Sequence, residues 1–170
     1  MADSPSDTSR SLKKAEAKID ALGLPLPEKP ESGEDDPKWP RNIADLSPDE
    51  LAYHLTWWSG WSSYARHHLA RAQTDFAAFK RDLKLETDTR VFKSVGDYKT
   101  VTECKASIAQ RPDMIRMAIR EQEAEAMVTM MKSLLEGYED KYATTSREIS
   151  RRGLDFHHSV TDEGRDRWNA

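Results

Sequence analysis

The sequence is poor in cysteine and in glycine. Its 170 residues include a single cysteine, Cys104, and only 7 glycines. One thiol cannot form a disulfide within the chain, so we expect a fold without cross-links in a reducing compartment, the cytoplasm. The sequence contains no glycine-rich phosphate loop and no nucleophile motif. It therefore predicts a protein that is not an enzyme.

Long apolar runs and metal-ligand patterns are also missing. No stretch approaches the roughly 20 apolar residues that cross a bilayer, and the N-terminus lacks the regions of a secretion signal. The pairs His67-His68 and His157-His158 consist of adjacent residues, which point to different faces of a helix, and no acidic residue or cysteine completes a ligand set. We expect no membrane span, no metal and no cofactor.

Charge is abundant and unevenly distributed. Hydrophobic residues make up 37% of the chain and charged residues 33%, and the mean hydropathy is −0.82. This composition is typical of extended helices, whose apolar stripe must find a partner. The net charge is −4, but residues 80–120 carry 10 basic and 6 acidic side chains. Any anionic partner would therefore be contacted locally, in the middle of the chain.

The start of the first long helix is clearly marked. Ser47 is followed by Pro48 and by Glu50, which together predict an N-cap, a proline in the first turn and a capping box. Leu46 and Leu51 are placed to form a hydrophobic staple. A heptad seam follows, stepping by 4 and 3, through Leu51, Leu55, Trp58, Ser62, Ala65, Leu69, Ala72, Phe76, Phe79 and Leu83. A second stripe runs beside it through Trp57, Trp61, Tyr64 and His68.

A turn and a second long helix come next. The periodicity lapses between Glu86 and Asp97, where Gly96-Asp97 predicts a turn, and Thr100 to Glu103 is a further capping box. The last helix is expected to begin at Pro112 and to end at Gly153. Its seam comprises Met114, Met117, Glu121, Ala124, Val128, Met131, Leu135, Tyr138, Tyr142, Thr145, Ile149 and Arg152.

The N-terminal segment predicts a short helix and a linker. Ser11–Leu22 places Leu12, Ala15, Ile19 and Leu22 on one stripe, and Gly23 is a C-cap signal. The following segment is rich in proline and acidic residues and has too little apolar surface to pack, so we interpret it as an extended linker.

These patterns predict an all-α protein built on a long antiparallel helical hairpin with coiled-coil contacts. Residues 1–45 form the short helix and the acidic linker, residues 46–152 the hairpin, and residues 153–170 a disordered tail. Since a lone hairpin buries little surface, we expect a homo-oligomer. Antiparallel pairing brings together Leu83 and Met114, Leu55 and Tyr142, and Leu51 and Thr145.

Two sets of side chains are candidates for function, and each has a plainer alternative. Aromatic residues near the start of the first helix could stack on nucleobases, or could pack an oligomer interface that includes Leu55, Trp57, Trp58, Trp61, Tyr64, Tyr138 and Tyr142. Basic residues around the turn could bind phosphates, or could form a solvated surface; they are Lys80, Arg81, Lys84, Arg90, Lys93, Lys99, Lys105 and Arg111.

Residues 47–152 resemble the UvsY-type recombination mediators of tailed phages. The shared features are the segment Leu-Thr-Trp-Trp-Ser-Gly-Trp at 55–61, Lys80-Arg81-Asp82-Leu83-Lys84, Thr102-Glu103-Cys104-Lys105 with Ile108 and Asp113, and Ser146-Arg147-Glu148-Ile149. The resemblance implies an oligomeric ring that binds single-stranded DNA and helps to load a recombinase in the cytoplasm of an infected bacterium. It implies DNA contacts by Lys80, Arg81, Lys84, Arg90, Lys99 and Lys105.

A structural protein of a phage virion or neck is the alternative. In that case the same hairpin packs into a symmetric assembly, and the N-terminal arm wraps a neighbouring subunit.

Overall fold

The fold is all-α, as the sequence predicts. The computed structural model describes residues 7–31 and 36–168, with side chains from 12 to 156 outside the gap. Within these residues it contains no strand, and the helices are α1 Asp7–Ala21, α2 Pro48–Ser94, α3 Val101–Ala109 and α4 Pro112–Trp168. Short 3-10 helices at Ile43–Asp45 and Val95–Asp97 precede α2 and α3. The long helices α2 and α4 pack against each other, which confirms the predicted hairpin.

The chain divides into two compact units. Among the described residues, the turn unit comprises 7–26 and 66–133, and the aromatic unit comprises 27–31, 36–65 and 134–168. Each unit contains one part of α2 and one part of α4. In the aromatic unit the two helices run antiparallel, because Trp58 stacks on Tyr138 while Leu55 and Tyr142 line one shallow groove. The predicted proximity of Leu55 and Tyr142 is confirmed.

A small apolar core organises the turn unit. Cys104, Ile108 and Met114 are buried in one cluster, and they are covered by the half-buried side chains of Leu83, Val91, Tyr98 and Met117. Helix α3 is fixed on this core by the hydrogen bond between the hydroxyl groups of Tyr98 and Ser107, at 2.9 Å. The predicted contact of Leu83 with Met114 lies in this cluster.

The predicted helix starts are confirmed in atomic detail. The Ser47 hydroxyl accepts the Glu50 backbone N–H at 3.2 Å, and the Glu50 carboxylate accepts the Ser47 N–H at 2.7 Å. This reciprocal pair satisfies two backbone donors at the start of α2. At α3 the Thr100 hydroxyl accepts the Glu103 N–H at 3.1 Å, whereas the Glu103 carboxylate accepts the N–H of Lys99.

The predicted seam of α2 is also observed. Every seam position from Leu51 to Leu83 is buried or half-buried, and Leu51 is only 1% exposed. Helix α2 nevertheless continues beyond the lapse of the periodicity at Glu86, to Ser94. Arg90 explains this continuation, because its guanidinium forms an i,i+4 ion pair with Glu86 and reaches Asp113 on α4.

The predicted end of α4 at Gly153 is wrong. Helical backbone continues to Trp168, so the segment interpreted as a disordered tail is helical through that residue. A glycine inside a helix costs only about 1 kcal/mol and does not by itself terminate it. The Arg151 guanidinium spans Gly153 and contacts the Asp155 carboxylate at 2.7 Å, an i,i+4 pair that supports the continued helix.

Helix α1 buries a different stripe from the one predicted. Leu12, Glu16 and Ile19 are half-buried, whereas Leu22 is 74% exposed. Glu16 belongs to the half-buried stripe because its carboxylate contacts the Arg71 guanidinium of α2 at 3.2 Å. The predicted C-cap is present, since Gly23 has a positive φ of 70°.

The linker before α2 packs on the hairpin, contrary to the prediction. Its Trp39 meets the rings of His54 and Trp58 edge to face, with centroid separations of 6.0 and 6.1 Å. A Cβ on Gly60 would lie 3.3 Å from the Pro30 side chain, so this small residue permits the linker to approach α2 closely. Two residues of the linker thus supply the apolar surface that its composition as a whole lacks.

Candidate nucleic-acid interface

The first basic group lies in the C-terminal third of α2, in the turn unit. Lys80, Arg81 and Lys84 are exposed. The Lys80 ammonium lies 5.5 Å from the centroid of the Phe76 ring, and the Arg81 guanidinium contacts its neighbour Asp82 at 3.0 Å. Because this pair is open to solvent, it is weak and exchangeable. The group therefore presents positive charge on a rigid helix.

Arg90 is half-buried and bridges α2 and α4. Its guanidinium contacts the Glu86 carboxylate at 2.7 Å and the Asp113 carboxylate of α4. Hydrogen bonds to Asp113 and Glu86 raise the pKa of Arg90, and the same contact with Arg90 lowers the pKa of Asp113. Two carboxylates thus neutralise this arginine and leave little charge for a phosphate, although the resemblance includes it among the DNA contacts.

The second basic group lies at the turn. Lys99 precedes α3 and Lys105 is on α3, and both are exposed, as is Lys93 near the end of α2. Their ammonium groups form no ion pair with any residue that the structure describes. Because α3 is anchored by buried Cys104 and Ile108, these lysines project from a fixed platform.

The structure brings the sequence-predicted cations together only in part. Lys84 precedes the last residue of α2, Ser94, by 10 positions, or about 15 Å of helix at ~1.5 Å per residue. The cations thus form two groups, one along α2 and one at the turn. Residues 80–111 carry 8 basic and 5 acidic side chains, and Asp82 and Glu86 are already engaged by arginines. Positive charge therefore prevails over this stretch.

The aromatic unit contains the residues proposed for an oligomer interface. Trp58 is buried within the protomer and is 8% exposed, so its main contacts are those of its own chain. The remaining predicted interface residues are half-buried, namely Leu55, Trp57, Trp61, Tyr64 and Tyr138, and Tyr142 is 41% exposed. The rings of Trp57, Trp61 and Tyr64 follow one another along α2 at about 6 Å. Trp61 also packs on Tyr138 of α4 at 6.0 Å, and the role of this outer row at an interface stays a prediction.

Trp58 is held by polar as well as apolar contacts. Its ring stacks on Tyr138 with a centroid separation of 5.8 Å, and the Lys141 ammonium lies 4.0 Å from the Trp58 ring centroid. The indole N–H donates a hydrogen bond to Nδ1 of buried His54 at 3.3 Å. Burial lowers the pKa of His54, which keeps the accepting nitrogen free of a proton. Sequence reasoning missed both His54 and Trp39, since neither lies on a predicted stripe.

Glu148 joins the end of the hairpin to the segment before α2. Its carboxylate is 7% exposed and accepts hydrogen bonds of 2.7 to 2.8 Å from Arg151 and Arg152. Arg152 in turn donates to the backbone carbonyl of Ala44 at 2.9 Å. The hydrogen bonds from Arg151 and Arg152 lower the pKa of Glu148 to about 2. The conspicuous Ser146-Arg147-Glu148-Ile149 segment therefore includes a structural residue.

The Glu148 carboxylate makes the free energy of unfolding depend on pH in the acid range. Because the folded-state pKa of Glu148 is about 2, below its usual value of roughly 4.3, its contribution is complete above pH 4.3 and is lost as the pH falls towards 2. We expect Glu148→Gln to be less stable than the wild type at pH 7, and the gap to narrow between pH 4.3 and 2. Urea titrations followed by circular dichroism measure it. A gap that stays constant over this window would show that Glu148 is not the titrating group.

No other site chemistry is evident in the parts of the chain described. Among the described side chains, those of residues 12–31 and 36–156, no group of three potential ligands among His, Cys, Asp and Glu is close enough to hold a metal ion. Over the same residues, no helix has the length and apolar character that crossing a membrane requires. Cys104 is a free thiol and is fully buried.

Comparison with known proteins leaves the family open. No protein-family model, curated protein or solved structure matches this chain.

Proposed function

We propose that this chain is an oligomeric recombination mediator that binds single-stranded DNA through the turn unit and helps to load a recombinase. The observation that carries the proposal is the pair of basic groups in that unit: Lys80 and Lys84 on α2, and Lys99 and Lys105 at the turn. All four are exposed and unpaired by carboxylates of the described chain. The role in recombination is inferred from the resemblance of residues 47–152 to the UvsY-type mediators.

Binding of this kind is electrostatic and independent of sequence. Ammonium groups neutralise phosphates and release condensed counterions, so the affinity falls steeply with salt. Lysines that contact phosphates do not recognise base edges. Binding of this kind therefore suits a protein that must act on strands of any sequence. Arg90 is assigned a supporting role here, because its ion pairs with Glu86 and Asp113 hold the end of α2 against α4.

Oligomerisation would compensate for the small number of cations in each protomer. The chain has a net charge of −4, so a single copy offers only a local positive surface. Several copies on one strand would act multivalently, and their combined affinity would exceed that of one copy. The outer aromatic row of Trp57, Trp61 and Tyr64 is the surface we propose for contacts between copies. Such a protein would act in the cytoplasm of an infected bacterium.

Removal of the α2 group tests the proposal. We expect Lys80→Ala/Arg81→Ala/Lys84→Ala to weaken binding to all oligonucleotide sequences alike. The salt slope should become shallower by up to about 2, at ~0.7 for each phosphate of a single strand that the variant no longer neutralises. Fluorescence anisotropy of labelled oligonucleotides at several salt concentrations measures both quantities. Oligomeric mass, measured by sedimentation, should be unchanged because none of the three residues lies on the seam.

A matched control removes the same charge elsewhere. Lys13, Lys14 and Lys18 are exposed on α1, and replacing them with alanine changes the net charge by the same amount. This control should retain the wild-type salt slope. Equal effects of both variants on binding would indicate only a general charge effect. If the wild type has no salt-dependent affinity at low ionic strength, the mediator function is excluded and a structural role in a virion assembly replaces it.

A further inference from the structure

Phe92 is an aromatic side chain that lies almost wholly outside the packing of the residues that the structure describes. It is 86% exposed, the largest fraction for any large hydrophobic residue that the structure describes. The other phenylalanines of α2, Phe76 and Phe79, are half-buried on the seam. Phe92 lies beyond Glu86, where the heptad pattern has lapsed, so the sequence pattern assigns it no role. Its exposure leaves almost the whole phenyl ring accessible to a ligand.

The surroundings of Phe92 are basic. Along α2, Lys84 precedes it by 8 residues, or about 12 Å at ~1.5 Å per residue, and Lys93 follows it directly. The chain then turns through Val95–Asp97 to Lys99. Along the helix axis, Phe92 thus lies between the two groups of unpaired lysines. An anionic polymer that contacts both groups would pass this ring.

Leu85 and Arg81 complete the same face of the helix. They precede Phe92 by 7 and 11 residues, which are whole turns of an α-helix to within about 20°. Leu85 is 56% exposed, and the Arg81 side chain is 63% exposed. An apolar contact surface and a guanidinium therefore accompany the ring. This combination of flat apolar surface with positive charge is complementary to a nucleobase attached to a phosphate.

We propose that Phe92 is a base-stacking residue of the single-strand binding surface. A base rests on the phenyl ring while neighbouring phosphates contact Lys84 and Lys93. This inference rests on the proposed function and adds to it a contact with the bases rather than with the backbone. Stacking tolerates any sequence, because every base has a π-face. It also discriminates between strands, since the bases of a duplex are already stacked on one another and cannot reach the ring.

Substitution of Phe92 tests the stacking contact directly. We expect Phe92→Ala to weaken binding to single-stranded oligonucleotides by roughly 5- to 150-fold, the effect of removing one aromatic–base stack, with an unchanged salt slope. Phe92→Leu should weaken binding as much as Phe92→Ala, because it retains apolar surface without a ring, and Phe92→Trp should restore binding. Duplex binding should be the same in all variants. The melting temperature of each variant controls for folding. It should equal that of the wild type, because Phe92 is so exposed.

An oligonucleotide of abasic residues gives a second, independent measurement. It keeps the phosphates and removes the bases, so wild type and Phe92→Ala should bind it equally. If the wild type binds ordinary oligonucleotides and Phe92→Ala binds them equally well, the stacking role is excluded while the proposed function stands. If Phe92→Leu retains full affinity, or if Phe92→Ala changes the oligomeric mass and leaves DNA binding intact, the ring serves an apolar protein contact instead. Absence of any wild-type binding would overturn both proposals.

Discussion

Replacing Ile108 with alanine is expected to lower the free energy of unfolding by about 2–5 kcal/mol. Ile108 is 0% exposed and lies in the core of the turn unit between Cys104 and Met114. Its truncation removes buried methyl and methylene groups, and the helices that meet there cannot close the space completely. Urea denaturation followed by circular dichroism at a fixed protein concentration measures the change. Hydrogen exchange should show faster opening of α3.

Ile115→Ala is the matched control for this substitution. Ile115 is the same residue type near the start of α4, but it is 45% exposed. Surface substitutions usually change stability by less than about 0.5 kcal/mol, so this variant should remain close to the wild type. Comparable destabilisation of the two variants would mean that the core of the turn unit is not where the structure places it.

Replacing Trp58 with alanine is expected to cost about 3–5 kcal/mol, because it empties the centre of the aromatic unit. The ring stacks on Tyr138 and lies beneath the Lys141 ammonium. Its removal also leaves Nδ1 of buried His54 without the indole donor, which adds a desolvation cost. Urea denaturation should show the destabilisation at every protein concentration, since these contacts lie within one protomer.

Trp57→Ala is the comparison variant for Trp58→Ala, because the two tryptophans are adjacent on α2. The ring contacts of Trp57 are with Tyr53 and Trp61 on the same helix, at 6.3 and 6.1 Å. Among the described residues the Trp57 ring contacts only rings of its own helix, whereas Trp61 also packs on Tyr138 of α4 at 6.0 Å. Truncation of Trp57 should therefore affect the monomer little. If the outer row joins protomers, sedimentation should show weaker association of Trp57→Ala, and its stability should depend more strongly on concentration. Destabilisation as large as that of Trp58→Ala, independent of concentration, would assign Trp57 to the protomer core.

Features set by local chemistry or by long periodicity could be predicted from the sequence. The Ser47 and Glu50 capping box depends on side chains three residues apart, and the structure contains both of its hydrogen bonds. The seam of α2 could be predicted because burial against a second helix repeats every three to four residues. The same reasoning placed Leu55 beside Tyr142 in the aromatic unit.

Features that depend on a single distant partner could not be predicted in this way. Trp39 packs on Trp58 although its own segment has no periodicity. By sequence, Arg90 is one more cation among the basic residues around the turn. Only the structure shows that Asp113 of α4 contacts its guanidinium and helps to neutralise its charge. A glycine such as Gly153 is typical of a helix C-terminus. Here the helix continues past it, supported by the ion pair between Arg151 and Asp155. In each case one contact outweighs the local preference.

Cys104 gives the turn unit a built-in chemical reporter. It is the only cysteine of the chain and is 0% exposed, so a thiol reagent can reach it only when the packing around α3 opens. The labelling rate of the unmodified protein therefore measures the opening equilibrium of this core, without any introduced probe. Since Lys99 precedes α3 and Lys105 lies on it, a ligand that binds both and steadies α3 should slow the labelling. Alkylation kinetics can thus detect occupancy of the turn through a residue that the ligand never touches.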